Sequence, residues 1–261
     1  MILQEIAEKT RRRVAQAKEA KSPDAVMSEA KSLPVSRAFP FEQTLAKDAI
    51  SFICEVKKAS PSKGVIAEDF PYLAIARDYE AAGASAISVL TEPYYFQGSD
   101  RYLREIAQAV TIPVLRKDFT VDAYQIYEAK TLGASAVLLI CSLLDTKTLA
   151  EYLRIVDSLG LSALVEAHDE VEIASALRAG ARVIGVNNRN LKDFTVDIHT
   201  GIRLRSLVPG NVLFVAESGI KTARDVEELR RAHVSGVLIG ETLMRSPDKK
   251  AALDELRGIR R

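Results

Sequence analysis

The sequence predicts an α/β protein, a (β/α)8 TIM barrel with an N-terminal helical extension. Eight short apolar segments recur along the 261-residue chain, separated by segments whose apolar residues follow a helical period. The apolar segments lack the alternation of half-exposed strands, which is typical of parallel strands buried on both faces. Chains of about this length commonly form one such barrel. We therefore predict an extension at residues 1–48 and a barrel catalytic domain at residues 49–261.

The extension is predicted to contain two helical pieces. Breaks are expected at Pro23 and at SLPVSRAFPF (32–41), because proline removes a backbone donor and restricts the residue before it. The apolar faces of these helices should pack on the outside or the rim of the barrel, and a lid over its mouth is the alternative. Basic residues near the N-terminus alternate with acidic ones, which indicates a solvated helix face.

The eight apolar segments are predicted as the barrel strands. In chain order they are ISFICEV (50–56), SAISVL (85–90), IPVLRK (112–117), SAVLLI (135–140), LSALVE (161–166), RVIGVN (182–187), NVLFVAE (211–217) and VSGVLIG (234–240). The segments between them have apolar residues at helical spacing, for example YLAIARDYEAA, DAYQIYEAKTL, TKTLAEYLRIVDSL and TARDVEELRRA. Thr222 with Asp225 approximates a capping box at the start of the last of these.

An internal repeat supports the barrel. The segments EAAGASAISVL, KTLGASAVLLI, LRAGARVIGVN and RRAHVSGVLIG each end a helix, turn, and enter a strand. Their turn residues are Gly83, Gly133, Gly180 and His233, spaced 50, 47 and 53 residues apart, so the repeat spans two βα units. An open doubly wound sheet is the alternative fold. It should carry a glycine-rich nucleotide turn after an early strand, and KASPSKG (58–64) matches that pattern poorly.

Composition excludes several classes of partner. The formal net charge is +1, which provides no general field for nucleic acid or an anionic membrane. The N-terminal MILQEIAEKTRRRV lacks a signal-peptide apolar segment, and no run of about 18 apolar residues occurs. Both cysteines, Cys54 and Cys141, lie in apolar segments where a free thiol behaves as a small hydrophobe. We expect a cytoplasmic, reduced protein that acts as a monomer.

Polar residues at the ends of the predicted strands form the candidate site, because active sites of these barrels gather at the carboxyl ends of the strands. They are Glu55, Lys57, Lys117, Glu166, Asn187 and Glu217. Glu55 and Lys57 are two residues apart and should project from the same face, while Phe52, Cys54 and Val56 face the helices. Because burying an unpaired charge is costly, these ends should converge on one polar mouth.

Two glycine-bearing turns predict a phosphorylated ligand. ESGI (217–220) and LIGE (238–241) follow the last two strands. Their backbone N–H groups, with a short helix after Gly240, would form the phosphate cradle that recurs in this fold. His168, His199 and His233 fall in separate loops, so no metal site is predicted and His168 is given a structural role.

The chain resembles indole-3-glycerol phosphate synthase. The motifs CEVKKASPSKG, LTEPYYFQG, LRKDF, LLIC, LVEAH, IGVNNRNL, AESGI and LIGETLM carry this resemblance, in order, from about residue 50 to 246. It implies closure of a carboxyphenylamino-deoxyribulose 5-phosphate to an indole in tryptophan biosynthesis, with loss of carbon dioxide and water and without a cofactor. A related phosphate-binding barrel that isomerises an aminoaldose with an Asp/Cys pair, and a catalytically silent phosphate-binding barrel, are the alternatives.

The resemblance also implies roles for the strand-end residues. Lys117 would be the general acid that protonates the substrate carbonyl, and Lys57 the cation that grips the substrate carboxylate and serves as a second proton donor. Glu166 would be the general base or acid of dehydration. Glu55 would balance the lysine charges, and Asn187 would hold hydroxyl groups. Glu217 would order the lysines or the ribulose hydroxyls.

The remaining site residues are implied to bind substrate. Phosphate contacts would be Ser60, Ser218, Gly219, Ile239 and Gly240. Phe96, Phe119 and Leu191 would wall the aromatic ring, and Arg189 would be a rim cation that positions the carboxyphenyl end.

Overall fold

The central feature of the computed structural model, which describes residues 2–190 and 194–259, is a closed barrel of eight parallel strands. They are β1 (Ser51–Val56), β4 (Ala86–Leu90), β5 (Val114–Lys117), β6 (Ala136–Ile140), β7 (Ser162–Ala167), β8 (Val183–Asn187), β9 (Leu213–Glu217) and β10 (Gly236–Ile239). Neighbours in the chain pair in parallel, and β1 pairs with β10 to close the barrel. The predicted fold class is confirmed, and each strand bound lies within about two residues of its prediction.

Helices alternate with the strands around the outside of the barrel. They are α4 (Tyr72–Ala81), α5 (Asp100–Ala109), α6 (Tyr124–Thr131), α7 (Thr146–Ser158), α8 (Glu170–Ala179), α9 (His199–Arg205), α10 (Ala223–Arg231) and α12 (Lys249–Leu256). The short α11 (Glu241–Arg245) follows β10 directly, where a short helix was predicted. Thr222 and Asp225 form the predicted reciprocal capping box at the start of α10. None of the helices in the described ranges is long and apolar enough to cross a membrane.

The barrel strands separate two apolar layers. On β1, Phe52, Cys54 and Val56 pack in the layer between strands and helices, as predicted. Ile53 faces inward and packs in the barrel interior with Leu115 and their neighbours on other strands. This alternation sends Glu55 and Lys57 toward the mouth of the barrel.

The N-terminal segment contains three helices where two were predicted: α1 (Ile2–Ala20), α2 (Pro23–Ser32) and α3 (Pro40–Leu45). The third helix forms within the segment that was expected to be a break, because Pro40 lies in its first turn, where a missing N–H costs little. Phe41 and Leu45 are fully buried in the interior cluster of the barrel. Leu45 approaches Gly236 at the start of β10, so α3 closes the amino end of the barrel.

Helix α1 lies along the carboxyl-end rim. Arg13 donates two hydrogen bonds to Asp118, which follows β5, at 2.8 and 2.7 Å. Lys18 pairs with Asp122 at 2.6 Å on the same loop. Rim packing was one of the predicted placements of the extension, while its division from the barrel at residue 48 stays a prediction.

A small antiparallel hairpin follows β1. Its strands are β2 (Ala59–Ser60) and β3 (Gly64–Val65), in a segment that was predicted only as a turn. Gly64 has a φ of 64°, a conformation that glycine adopts without a steric penalty. The hairpin places Ser60 and Lys63 at the mouth of the barrel.

Candidate active site

A cavity of about 950 Å³ opens at the carboxyl ends of the strands. Fourteen predicted site residues line it: Glu55, Lys57, Ser60, Phe96, Lys117, Phe119, Glu166, Asn187, Arg189, Glu217, Ser218, Gly219, Ile239 and Gly240. The remaining one, Leu191, lies outside the described residues. The ends of the barrel strands therefore bring polar side chains from five different strands into one space.

Lys117, the last residue of β5, lies between two carboxylates. Its Nζ is 3.3 Å from Oε2 of Glu166 and 3.3 Å from Oε2 of Glu217. Burial opposes the lysine charge, but the charges of Glu217, Glu166 and Glu55 outweigh it and raise the pKa of Lys117 above its usual value. Lys117 is therefore a charged ammonium group held between the two carboxylates.

Lys57 and Glu55 form a second pair at the end of β1. Their Nζ and Oε1 atoms lie 2.6 Å apart, and the hydroxyl of Ser88 on β4 donates to the other Glu55 oxygen at 3.4 Å. Both side chains are largely buried. Such a pair orders Lys57 while leaving its remaining N–H donors for a ligand.

Glu166 and Glu217 contact the same lysine but have opposite pKa shifts. Burial raises the pKa of Glu217, as do the charges of Glu166 and Glu55, and Lys117 only partly offsets this. For Glu166, burial is outweighed by Lys117 and by His168, so its pKa is lowered. Environments that separate two carboxyl pKa values commonly separate acid from base roles.

His168 contacts the site, although the sequence analysis gave it a structural role. It lies two residues after Glu166 and its Nε2 is 3.3 Å from Oε1 of Glu166. The spacing of two along the end of β7 was the available signal, because it puts both side chains on one face.

The predicted phosphate end consists of tight turns after β1, β9 and β10. Ser218 and Gly219 have φ values of 66° and 82°, and a Cβ on Gly219 would lie 2.4 Å from Cγ1 of Val196. A Cβ on Gly240 would lie 2.6 Å from Oε1 of Glu55 and 2.8 Å from Nζ of Lys57. Any side chain at residue 240 would therefore collide with the Glu55–Lys57 pair, whether or not a ligand is bound.

Glu241 adds a carboxylate beside these turns. Its Oε1 lies 3.6 Å from Lys63 Nζ and 3.2 Å from Arg245 Nε, so two cations balance its charge. An anionic ligand would therefore not meet an uncompensated negative charge at this point.

The opposite end of the cavity is apolar. Phe96 and Phe119 lie with their ring centroids 6.0 Å apart. The carboxylate of Glu92 accepts backbone N–H bonds from the segment 94–96, including that of Phe96 at 3.0 Å, and so orients this loop. Ile2, Leu3 and Ile6 of α1 also line the cavity. This contribution was not predicted from the sequence, because nothing local in α1 marks it.

Two further predicted residues are Asn187, the last residue of β8, and Arg189, which follows it. Oδ1 of Asn187 accepts the backbone N–H of Arg189 at 3.0 Å, which orients the Asn187 amide group. The Arg189 guanidinium donates to the carbonyl of Phe194 at 3.3 Å. Within residues 2–190 and 194–259, no group of three or more His, Cys, Asp or Glu residues could hold a metal ion.

A (β/α)8 barrel with paired lysines and carboxylates at its mouth defines a barrel enzyme built for acid–base chemistry. A family model described as indole-3-glycerol phosphate synthase matches residues 3–256. A relative with that name from Ruminiclostridium cellulolyticum is 61% identical over 99% of this chain and 99% of its own length. Another, from Lachnoclostridium phytofermentans, is 48% identical over 99% of this chain and 100% of its own length. The chain belongs to the indole-3-glycerol phosphate synthase family, which confirms the resemblance of its motifs.

Solved structures with low sequence identity share the fold. A 3-hexulose-6-phosphate synthase from Salmonella typhimurium matches 80% of this chain and 98% of its own with a TM-score of 0.66 at 13% identity. A thiamine phosphate pyrophosphorylase from Pyrococcus furiosus covers 81% of this chain with 95% of its own length, with a TM-score of 0.60 at 17% identity. These similarities concern the barrel alone.

Proposed function

We propose that the protein closes 1-(2-carboxyphenylamino)-1-deoxyribulose 5-phosphate to indole-3-glycerol phosphate with loss of carbon dioxide and water. Its family membership supports this reaction. The observation that carries the mechanism is the position of Lys117, which lines the cavity 3.3 Å from both Glu166 and Glu217. The reaction needs proton donors and acceptors at fixed positions, and these side chains are of that kind.

Ring closure is the first step. The aromatic carbon that bears the carboxylate attacks the ribulose carbonyl carbon, and the carbonyl oxygen takes a proton from Lys117. The carboxylate then leaves as carbon dioxide, and its electron pair restores the aromatic ring. Lys57 would hold that carboxylate until it leaves, because its ammonium is ordered by Glu55 and faces the cavity. The apolar wall of Phe96 and Phe119 would hold the aromatic ring.

Dehydration is the second step. The hydroxyl formed from the carbonyl leaves as water with a proton from a lysine, and the adjacent carbon loses a proton to a base. Glu166 would be that base, because its lowered pKa keeps it ionised and free to accept a proton. Glu217 has a raised pKa. If Glu217 takes up a proton, Lys117 loses one of the charges that hold its own pKa up and becomes a stronger acid.

The phosphate would bind at the other end of the cavity. Ser60, Ser218, Gly219, Ile239 and Gly240 line it there. The turns after β9 and β10 can present backbone N–H groups to a dianion. Asn187 and Arg189 would contact the ribulose hydroxyls and the carboxyphenyl end, and Leu191 remains a prediction from the motif alone.

Finer statements about the protein's context are also proposals. We propose a monomer as the catalytic unit. Cys54 and Cys141 are free thiols, which supports a reducing, cytoplasmic location. Size-exclusion chromatography with light scattering would test the monomer.

Lys117→Met tests the mechanism. Because a general acid acts mainly in the transition state, kcat should fall by about 100-fold or more while binding of a phosphorylated substrate analogue is retained. The measurement is indole fluorescence during turnover, with Lys47→Met, at an exposed position, as the control. A Lys117→Met rate above about a tenth of wild type would remove Lys117 from this role.

The same assay separates the alternatives. Absence of indole product from the wild-type protein would favour a catalytically silent barrel. An aminoaldose isomerase would need an Asp/Cys pair, and no cysteine is among the described residues that line the cavity.

A further inference from the structure

His168 is held from two sides at the end of β7. Its Nδ1 lies 3.0 Å from Oε2 of Glu172, and its backbone N–H donates to the same oxygen at 2.8 Å. On the other side, its Nε2 lies 3.3 Å from Oε1 of Glu166. The ring therefore bridges a carboxylate of the proposed catalytic site and a carboxylate of helix α8.

Glu172 is itself fixed. The hydroxyl of Ser142, in the segment after β6, donates to its Oε1 at 2.7 Å. The backbone N–H of Glu172 donates to Asp169, the N-cap of α8, at 2.9 Å. The carboxylate is thus tied to two neighbouring βα loops, and it can set the orientation of the imidazole plane.

Both ring nitrogens face carboxylate oxygens, so both are expected to carry a proton. The charged groups that act on the ring are Glu166 of β7 and Glu172 of α8, and the segment after β6 contributes the neutral Ser142. Burial opposes the imidazolium, but the two carboxylates outweigh it and raise the pKa of His168 to about 10. Nε2 is buried and poorly aligned for a hydrogen bond, so its contact with Glu166 is chiefly electrostatic.

We propose that His168 is a positioning residue for Glu166, and this inference rests on the proposed function. The imidazolium engages one oxygen of Glu166, so that the other oxygen stays directed at Lys117, 3.3 Å away. It also favours the ionised carboxylate, the form that a general base needs. Glu172 and Ser142 hold the imidazolium in that position.

A matched pair of variants tests the proposal. In His168→Gln, the amide nitrogen can reach the position of Nε2 and keep a donor toward Glu166. In His168→Asn, the shorter amide can reach only the position of Nδ1 and keeps the contact with Glu172. We expect His168→Asn to lower kcat by about tenfold or more with KM within about threefold of wild type. His168→Gln keeps a donor dipole toward Glu166 but not the charge, so it should retain a clearly higher kcat than His168→Asn.

The pH profile gives a readout that a purely structural role would not change. Loss of the neighbouring cation should raise the pKa of Glu166, so the acid limb of kcat in His168→Asn should move upward by about 1 pH unit or more. Equal kcat losses in the two variants, or an unchanged acid limb in His168→Asn, would overturn the proposal. Thermal unfolding of both variants identifies any loss that reflects instability.

A measurement independent of turnover separates this inference from the proposed function. The chain has three histidines, so the His168 imidazole signal can be assigned by its absence from the His168→Gln NMR spectrum. It should titrate well above pH 6.5 in the wild type, and Glu166→Gln should lower its midpoint. An unchanged midpoint would overturn the contact even if the wild type forms indole. A lowered midpoint without wild-type turnover would contradict the function and leave the contact supported.

Discussion

The two carboxylates on either side of Lys117 show how much one neighbouring residue can decide. Glu166 and Glu217 are both buried and both lie 3.3 Å from the same ammonium. Glu166 has His168 as a second cation, whereas Oε1 of Glu217 is buried without a hydrogen-bond partner among the described residues. The pKa of Glu166 is therefore lowered and that of Glu217 is raised, which separates a base from a group that can hold a proton.

Gly185 on β8 provides the space that Glu217 occupies. A Cβ at residue 185 would lie 2.4 Å from Oε1 of Glu217 and 3.0 Å from Cδ1 of Leu164. We expect Gly185→Ala to displace the carboxylate, lowering kcat by about tenfold or more and the free energy of unfolding by about 1–3 kcal/mol. Steady-state kinetics and urea denaturation would measure both effects.

Gly210→Ala is the matched control for this prediction. A Cβ at Gly210 would meet no atom within 4 Å, so both quantities should stay near wild type. If Gly185→Ala behaved like Gly210→Ala, the position of Glu217 would not depend on this glycine.

At the scale of elements, one turn recurs where a helix leads into a strand. Gly83, Gly133 and Gly180 have φ values of 84°, 87° and 90°, and His233 adopts a φ of 57° at the equivalent place. This left-handed conformation costs a residue with a Cβ roughly 1–2 kcal/mol. The turns connect each helix to the next strand, so the repeat in the sequence reflects a backbone requirement.

The His233 turn can be improved by substitution. His233→Gly should relieve the left-handed strain and raise the free energy of unfolding by about 0.5–1 kcal/mol, because glycine's greater freedom in the unfolded chain offsets part of the gain. The imidazole is exposed, and the hydrogen bonds of this residue come from its backbone, which glycine keeps. Its N–H donates to the Arg230 carbonyl and its carbonyl accepts from Arg205. Urea denaturation would measure the change.

Gly180→Ala provides the opposite test. A Cβ at Gly180 would meet no atom within 4 Å, so any loss of stability comes from its φ of 90° alone. We expect a decrease of about 1 kcal/mol. An unchanged free energy of unfolding in both His233→Gly and Gly180→Ala would show that the left-handed conformation of this turn costs little.

At the scale of the whole molecule, the buried charges couple stability to pH. The lowered pKa of Glu166 stabilises the folded state above about pH 4.5, and this contribution is lost as the pH falls below that value. The raised pKa of His168 stabilises the folded state below about pH 6.5 and is lost as the pH rises toward about 10. Glu217 also has a raised pKa, so its contribution is likewise lost as the pH rises.

The free energy of unfolding should therefore be greatest near pH 4.5 and decline below that value as Glu166 takes up a proton. Above pH 4.5 it should decline toward about pH 7 as Glu217 ionises, and further toward about pH 10 as His168 loses its proton. Urea denaturation between pH 3 and 10 would measure this profile. His168→Asn should reduce the alkaline decline, whereas His233→Asn, at an exposed position outside the cavity, should leave it unchanged. An identical alkaline decline in wild type and His168→Asn would contradict the assignment to His168.

The order of the elements and the membership of most of the candidate site could be predicted from the sequence. Strands such as Ala136–Ile140 follow from apolar runs, and helix α10 follows from its periodicity and capping box, because these signals are local. Glu55, Lys117 and Glu166 could be placed at one mouth because parallel strands in a barrel all end at the same face. A fold rule, applied to strand ends, was sufficient for that step.

The tertiary structure was needed to show which atoms meet. The pairing of Lys117 with two carboxylates and the space above Gly185 that Glu217 occupies join residues on different strands. The insertion of α3 into the amino end of the barrel and of Ile6 into the cavity wall have the same origin. Local patterns do not encode distances between segments that are far apart in the chain, and pKa shifts depend on those distances through Coulomb interactions and burial.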